Sequence, residues 1–204
     1  AISVLDPDGP EEYEEAKEDE ESYAQAIASL HQRLRSALPE IGRLSAHVTD
    51  DLREKASSQA QKALQTLKSE GAIPADLDDD LVLQAALDEV LGLGPLAIPL
   101  SDDAVSAIFV NGKNRIDVER EGQILSTPYF FSSQDAIRFV VERMIASSGH
   151  RLSPHTHHFE LRLDDGLWIH AIFPPLARRG TVLTLQKSSS SSLSWDDARQ
   201  KGLF

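Results

Sequence analysis

FELRLDDGLWIHAIFPPLARRGTVLTLQK, residues 159–187, reads as three short strands joined by two loops. Phe159, Leu161 and Leu163 alternate with Glu160 and Arg162, the period of two expected of a half-buried strand. Asp164-Asp165-Gly166 then turns the chain, because an Asp-Gly pair between apolar runs favours a hairpin. Residues 168–173 form the return strand, which Pro174-Pro175 stops, since proline offers no ladder N–H and fixes its own φ. Val182, Leu183 and Leu185 make the third strand. The loop Leu176-Ala177-Arg178-Arg179-Gly180 sets two cations side by side before a glycine, a candidate anion site or subunit contact.

Upstream, residues 107–110 read as a short apolar strand ended by Asn111-Gly112. Residues 116–119 alternate, and Arg120-Glu121-Gly122 turns them into Gln123-Ile124-Leu125, giving a hairpin or meander. Ser132-Ser133-Gln134-Asp135 opens a helix, with Ser132 as the expected cap and Asp135 at the third position. Ala136, Ile137, Val140, Val141, Met144 and Ile145 form its buried face, and Gly149 follows its end. Strands, then a helix, then strands indicate an α+β domain with a mainly antiparallel sheet.

Further upstream the period changes. Tyr23, Ile27, Leu30, Leu34 and Leu38 recur at steps of three and four, one face of a helix that Pro39 interrupts. Ile41, Leu44, Val48, Leu52, Ala56, Ala60, Leu64 and Leu67 continue the pattern to Gly71. A third helix, from about residue 79 to 91, begins with Asp78, Asp79 and Asp80, which suit the positive end of the helix dipole. The expected division is an acidic, disordered leader over 1–21 and a helical appendage over 22–92. The sheet domain then spans 95–187, and 188–204 hold a Ser-rich linker, Ser188 to Ser192, and the start of a further domain from Trp195. Gly92-Leu93-Gly94-Pro95 marks the boundary between appendage and sheet domain.

Composition narrows the function. The 204 residues include no cysteine, which excludes disulfides and thiolate metal sites. No apolar run approaches the roughly 18–20 residues of a membrane span. The net charge of −13 is confined to residues 1–90, where 21 acidic residues face 8 basic ones; the rest is neutral. That imbalance argues against a nucleic-acid partner over residues 1–90, because phosphate contacts need a basic footprint, and no nucleic-acid partner is expected. Without an initial Met, the chain is read as an excerpt of a longer cytoplasmic protein. His150, His155, His157, His158 and His170 lack helical i, i+4 spacing and a carboxylate set, so a variable loop and no metal site are expected.

A resemblance emerges from motifs in fixed order. Leu91-Gly92-Leu93-Gly94-Pro95-Leu96, Ser101-Asp102-Asp103 with Val105, and Phe109-Val110-Asn111-Gly112 come first. Val118-Glu119-Arg120, Gly149-His150-Arg151-Leu152 and Arg162-Leu163-Asp164-Asp165-Gly166 follow. Phe173-Pro174-Pro175-Leu176 and Gly180-Thr181-Val182-Leu183-Thr184 complete the series. Residues 90–187 thereby resemble the N-terminal domain of CpaF-type ATPases, which belong to the type II/type IV secretion superfamily and drive tight-adherence pilus assembly.

The resemblance implies a PAS-like domain in a hexameric ATP hydrolase, cytoplasmic and peripheral to the inner membrane. Its partners would be other copies in the ring and the inner-membrane secretion or pilus platform. ATP and Mg would be held mainly by a second domain carrying the phosphate loop, with the first domain covering the nucleotide. No G-x-x-x-x-G-K-[ST] occurs here; Gly112-Lys113-Asn114 lacks the hydroxyl ligand and the upstream glycine. This chain alone is therefore expected to bind no cofactor and to show no catalytic residue. The cationic positions left as nucleotide contacts are Arg151, Arg162, Arg178, Arg179 and Lys187.

The family pattern is also broken in places. Trp168 stands where an arginine is usual, His170 where an asparagine is common, and Ser153 where an aspartate is. Residues 185–187, Leu-Gln-Lys, replace an Ile-Arg-Lys ending. The four arginines also have a plainer reading. Arg151 suits a surface salt bridge, Arg162 a solvated strand face, and Arg178-Arg179 a solvated turn. The expectation is a regulatory, nucleotide-covering region of a secretion or pilus motor, against a non-catalytic assembly module or a PAS-like small-molecule sensor.

Overall fold

The computed structural model describes residues 10–41, 48–74, 76–146, 148–188 and 199. Residues 1–9 of the expected leader, Leu44 in the second helix and the segment from 189 to 198 lie outside them. Three helices come first: α1 (Pro10–Ala37), α2 (Asp50–Ser69) and α3 (Asp79–Leu91). A 3-10 turn (Gly94–Leu96) and the short α4 (Ala97–Ser101) lead into β1 (Val105–Asn111), β2 (Ile116–Arg120) and β3 (Gln123–Ser126). Then α5 (Gln134–Ala146) precedes β4 (His158–Arg162), β5 (Trp168–Ile172) and β6 (Val182–Gln186).

The six strands form one sheet in the order β3-β2-β1-β6-β5-β4, with every neighbouring pair antiparallel. The α+β class read from the sequence is therefore the observed one. Antiparallel pairing lets one face be buried, and the alternation follows it. Ile169 and Ala171 of β5, and Leu183 and Leu185 of β6, point into the core with Ile108 and Val110 of β1. Against them lie Ile137, Val140, Val141, Met144 and Ile145 of α5. Trp168, His170, Glu160 and Thr184 take the alternate positions on the other face.

Four details correct the sequence reading. The acidic run expected to be disordered is helical from Pro10 onward. Proline suits the first helical position, and glutamates there meet the positive helix end. Lengthening an already packed helix also avoids the cost of a new nucleus. Secondly, the turn at 94–96 and α4 occupy a stretch read only as a break. Thirdly, the cap of α5 is Ser133, whose Oγ accepts the Ala136 N–H at 3.1 Å. Ser132 instead donates to Glu89 from both its backbone N–H and its hydroxyl.

The fourth concerns Phe139, which the sequence left off the buried face of α5. It is 5% exposed and packs with the core of the helical unit rather than that of the sheet. Helix α5 is thus covered on two sides, by the sheet on one and by α1 and α3 on the other. Its apolar positions at 136, 137, 139, 140, 141, 144 and 145 spread over more than one stripe, which is the pattern of a helix buried twice. No single helix among the described residues is long and apolar enough to cross a membrane.

Candidate functional site

The end of the sheet where β4 turns into β5 gathers two of the five expected cations. The turn closes through the Leu163 N–H donating to the Leu167 carbonyl at 2.8 Å and the Gly166 N–H to the Leu163 carbonyl at 2.9 Å. Asp165 Oδ1 accepts the Leu167 N–H at 3.0 Å, an Asx-type closure that the Asp-Gly pair foreshadows. Gly166 has φ +89, and a Cβ there would stand 2.7 Å from the Ser188 side chain. Glycine is thus required twice, for the left-handed backbone and for the close passage of the chain leaving β6.

Register then sets the neighbours. Arg162 pairs with Trp168, and Trp168 pairs with Gln186 on its other side. Glu160, Leu161, Arg162, Gly166, Trp168, Gln186, Lys187 and Ser188 line an open groove of about 980 Å³. Trp168 Nε1 donates to Glu160 Oε1 at 3.2 Å, which fixes the indole across the groove. Arg162 is exposed and makes no hydrogen bond or ion pair among the described residues. Lys187 is anchored: its ammonium donates to the Asp102 carbonyl at 2.6 Å and the Pro99 carbonyl at 3.2 Å. Those carbonyls lie at the C-terminal end of α4, where a cation is favoured. An ammonium has three donors, so one N–H remains beyond these two bonds.

The other cations lie elsewhere. Four residue steps along β5, from Trp168 to Ile172, separate the two ends of the hairpin, about 13 Å at the strand rise. Arg178 and Arg179 sit at the far end, exposed and without a hydrogen bond or ion pair among the described residues. Their loop is stapled to the opposite turn. The Gly112 N–H donates to the Thr181 carbonyl at 2.8 Å, and the Thr181 N–H donates to Gln134 Oε1 at 2.7 Å. Gly180 has φ +114, and a Cβ there would lie 2.6 Å from Gln134 Nε2 and 3.1 Å from Gly112 Cα. Arg151 is exposed in the loop after α5, next to His150, whose N–H donates to the Ile145 carbonyl at 3.2 Å. The structure brings Arg162 and Lys187 to one groove and leaves Arg151, Arg178 and Arg179 out of it.

Behind the sheet end lies a second cavity of about 590 Å³. Leu91, Leu93, Leu100, Met144, Leu163 and Leu167 give it apolar walls, and Arg143, Asp165 and Lys187 reach its edge. Arg143 lies at the junction of the helical unit and the sheet domain. Its Nη2 donates to the Val90 carbonyl, and its guanidinium stands 5.1 Å from the Phe139 ring centre. Nε and Nη1 are buried with no hydrogen-bond partner among the described residues. Burial pushes its pKa down to about 10.

Two further buried groups complete that junction, and neither drew notice in the sequence. Glu89 of α3 is 3% exposed, with Ser132 as the donor to both carboxylate oxygens. Burial raises its pKa to about 7, although the two Ser132 hydrogen bonds pull the other way. His31 of α1 meets the Phe139 ring edge-on at 5.5 Å. Burial, then Arg35 and Arg143, push its pKa down to about 4. The only sequence signal for either was a polar residue inside a helix stripe.

The chain matches no protein-family model, and no curated protein matches it. Among solved structures it is similar to the VirB11 ATPase from the Brucella suis type IV secretion system, crystallised in complex with sulphate. The identity is 21% and the TM-score 0.46, over 62% of this chain and 38% of that one. This chain therefore spans well under half the length of that protein. The comparison does not single out the CpaF type.

Proposed function

We propose that this chain is the N-terminal, nucleotide-covering region of a secretion or pilus-assembly motor ATPase. The observation that carries the reading is the groove at the sheet end. It sets the guanidinium of Arg162, unpaired among the described residues, beside anchored Lys187 and the Trp168 indole. Guanidinium groups meet phosphate oxygens bidentately, and an indole offers a flat apolar face to a base. The order of motifs from Leu91 to Thr184 supports the same reading. ATP and Mg would be held mainly by a phosphate-loop domain outside this chain, and this PAS-like domain would close on them from one side. The ring contacts, the membrane platform partners and the cytoplasmic setting belong to that reading, with Arg151, Arg178 and Arg179 left for contacts between domains or subunits.

The test is Arg162→Ala in the full-length protein. Losing a charge-assisted hydrogen bond costs about 1.5–3 kcal/mol, or roughly a 10- to 150-fold weaker Kd for ATP. Unchanged ATP affinity, with unchanged melting, overturns the nucleotide-covering role. The assembly-module reading has its own observation: edge strand β3 presents Ile124 and Leu125 at 67% and 44% exposure. Exposed apolar edges invite strand addition. An Ile124→Lys/Leu125→Lys variant that keeps ATP turnover but loses assembly would favour it.

A further inference from the structure

On the face of the sheet turned away from α5, His158 of β4 and His170 of β5 bring their Nε2 atoms to 3.1 Å of each other. Neither histidine is covered: His158 is exposed and His170 half-buried. The pair lies diagonally across the ladder, since Glu160 is the register partner of His170 and Ile172 that of His158. Trp168 lies parallel to His170, with 6.0 Å between ring centres and 9° between planes. Glu160, the nearest carboxylate in register, is engaged by the Trp168 N–H at 3.2 Å.

We infer that His158 and His170 form a two-nitrogen clamp for a late first-row divalent cation, of the zinc, copper or nickel class. Metal–imidazole bonds of about 2.0–2.1 Å at cis angles between square and tetrahedral place two nitrogens about 2.8–3.4 Å apart. The observed 3.1 Å lies inside that interval. A direct N–H···N bond between the rings fits the same distance, but exposed to water it gains little over hydration. With a cation, both Nε2 lone pairs are used and both Nδ1 atoms carry the proton. Among the described residues no group of three or more histidine and carboxylate side chains converges, so water fills the remaining positions. A two-residue site of this kind is weaker than a structural zinc site. Its effect would be to tie edge strand β4 to β5.

The experiment uses the untagged chain, stripped with a chelator and titrated with Cu²⁺ or Zn²⁺ alone. The expected result is 1:1 binding, with Cu²⁺ quenching the emission of Trp168 and Zn²⁺ raising the melting temperature as ligand linkage requires. His158→Ala and His170→Ala should each weaken binding more than about 10- to 100-fold, the range seen when only an outer partner of a metal ligand is lost. His155→Ala/His157→Ala should leave it unchanged. Trp168→Phe should keep the Zn²⁺-dependent melting shift while losing the quench. Binding that survives the His158→Ala/His170→Ala double variant, that vanishes with His155 and His157, or that never reaches 1:1 below about 1 mM overturns the site.

Discussion

Two arginines in this chain sit in opposite circumstances. Arg143 of α5 packs against α3, bonded to the Val90 carbonyl and set over Phe139, with Nε and Nη1 unpaired among the described residues. Arg162 lies at the open end of the sheet with no partner among the described residues. The first has surrendered its hydration to hold two layers together. The second keeps its hydration and its donors for something outside the chain. The contrast separates residues that build this molecule from those available to a ligand, and charge alone does not reveal it.

The junction side of the comparison breaks first at Phe139. Its ring fills the helical core, takes the edge of His31, and receives the guanidinium of Arg35 at 4.5 Å and of Arg143 at 5.1 Å. Phe139→Ala should cost about 3–5 kcal/mol, measured by urea unfolding, because it leaves a cavity and strips both guanidinium groups of their platform. Helical unit and sheet should then unfold in separate transitions. A cost below about 1 kcal/mol would mean the two layers are not joined here.

Next come the two titrating groups at the same junction, which pull in opposite directions. Glu89 binds its proton up to about pH 7 when folded, against an ordinary value of 4.5. Between those values the folded form holds more protons, so stability falls as pH rises, and the loss is complete above pH 7. His31 has its folded value lowered to about 4 from 6.5. Between those values the unfolded form holds more protons, so stability rises with pH and the penalty is full only below pH 4. Each change amounts to about 3 kcal/mol, at ~1.4 kcal/mol for each tenfold in proton affinity. The opposing slopes leave the native chain nearly flat between pH 4.5 and 6.5. Glu89→Gln should remove the falling part, so that stability climbs by about 3 kcal/mol from pH 4 to 6.5. His31→Asn should show the converse fall. Identical pH profiles for all three proteins would place both groups in contact with water.

These features mark where the sequence was readable and where it was not. Periods of two and of three to four are local, so the strands from Phe159 to Leu185 and the apolar stripes of the three leading helices could be read. The helix starts could not: the first begins at Pro10 and the second at Asp50, after Thr49 as its cap, rather than at Ile41. The choice between Ser132 and Ser133 as the cap of α5 was not local. It turned on Glu89, 43 positions earlier, which occupies Ser132. Phe139 escaped for the same reason, because its partners come from α1 and α3. The separation of Arg162 from Arg178 and Arg179 follows from connectivity. Successive turns of an antiparallel meander lie at opposite ends of the sheet, so the 164–166 turn and the 176–180 loop had to part. Only the return of Lys187 beside Arg162, through β6, restores a pair.

The smallest effect sharpens the comparison most. Lys187 and Arg162 line the same groove, yet among the described residues only the Lys187 side chain has hydrogen-bond partners, the carbonyls of Pro99 and Asp102 at the end of α4. Lys187→Met keeps the aliphatic stem and removes the donors, which isolates the hydrogen bonds from the packing. Pro99 is buried and Asp102 half-buried, so water replaces the ammonium only in part, and the cost should be about 1–2 kcal/mol. Arg162→Ala should change stability by less than ~0.5 kcal/mol, as for any solvated side chain with no contacts to lose. Urea unfolding of the two variants side by side decides the matter. Equal costs of more than about 1 kcal/mol would mean that Arg162 is built into the fold like Arg143. A null result for Arg162, together with a measurable one for Lys187, leaves one side of the groove holding itself in place and the other side free to hold a ligand.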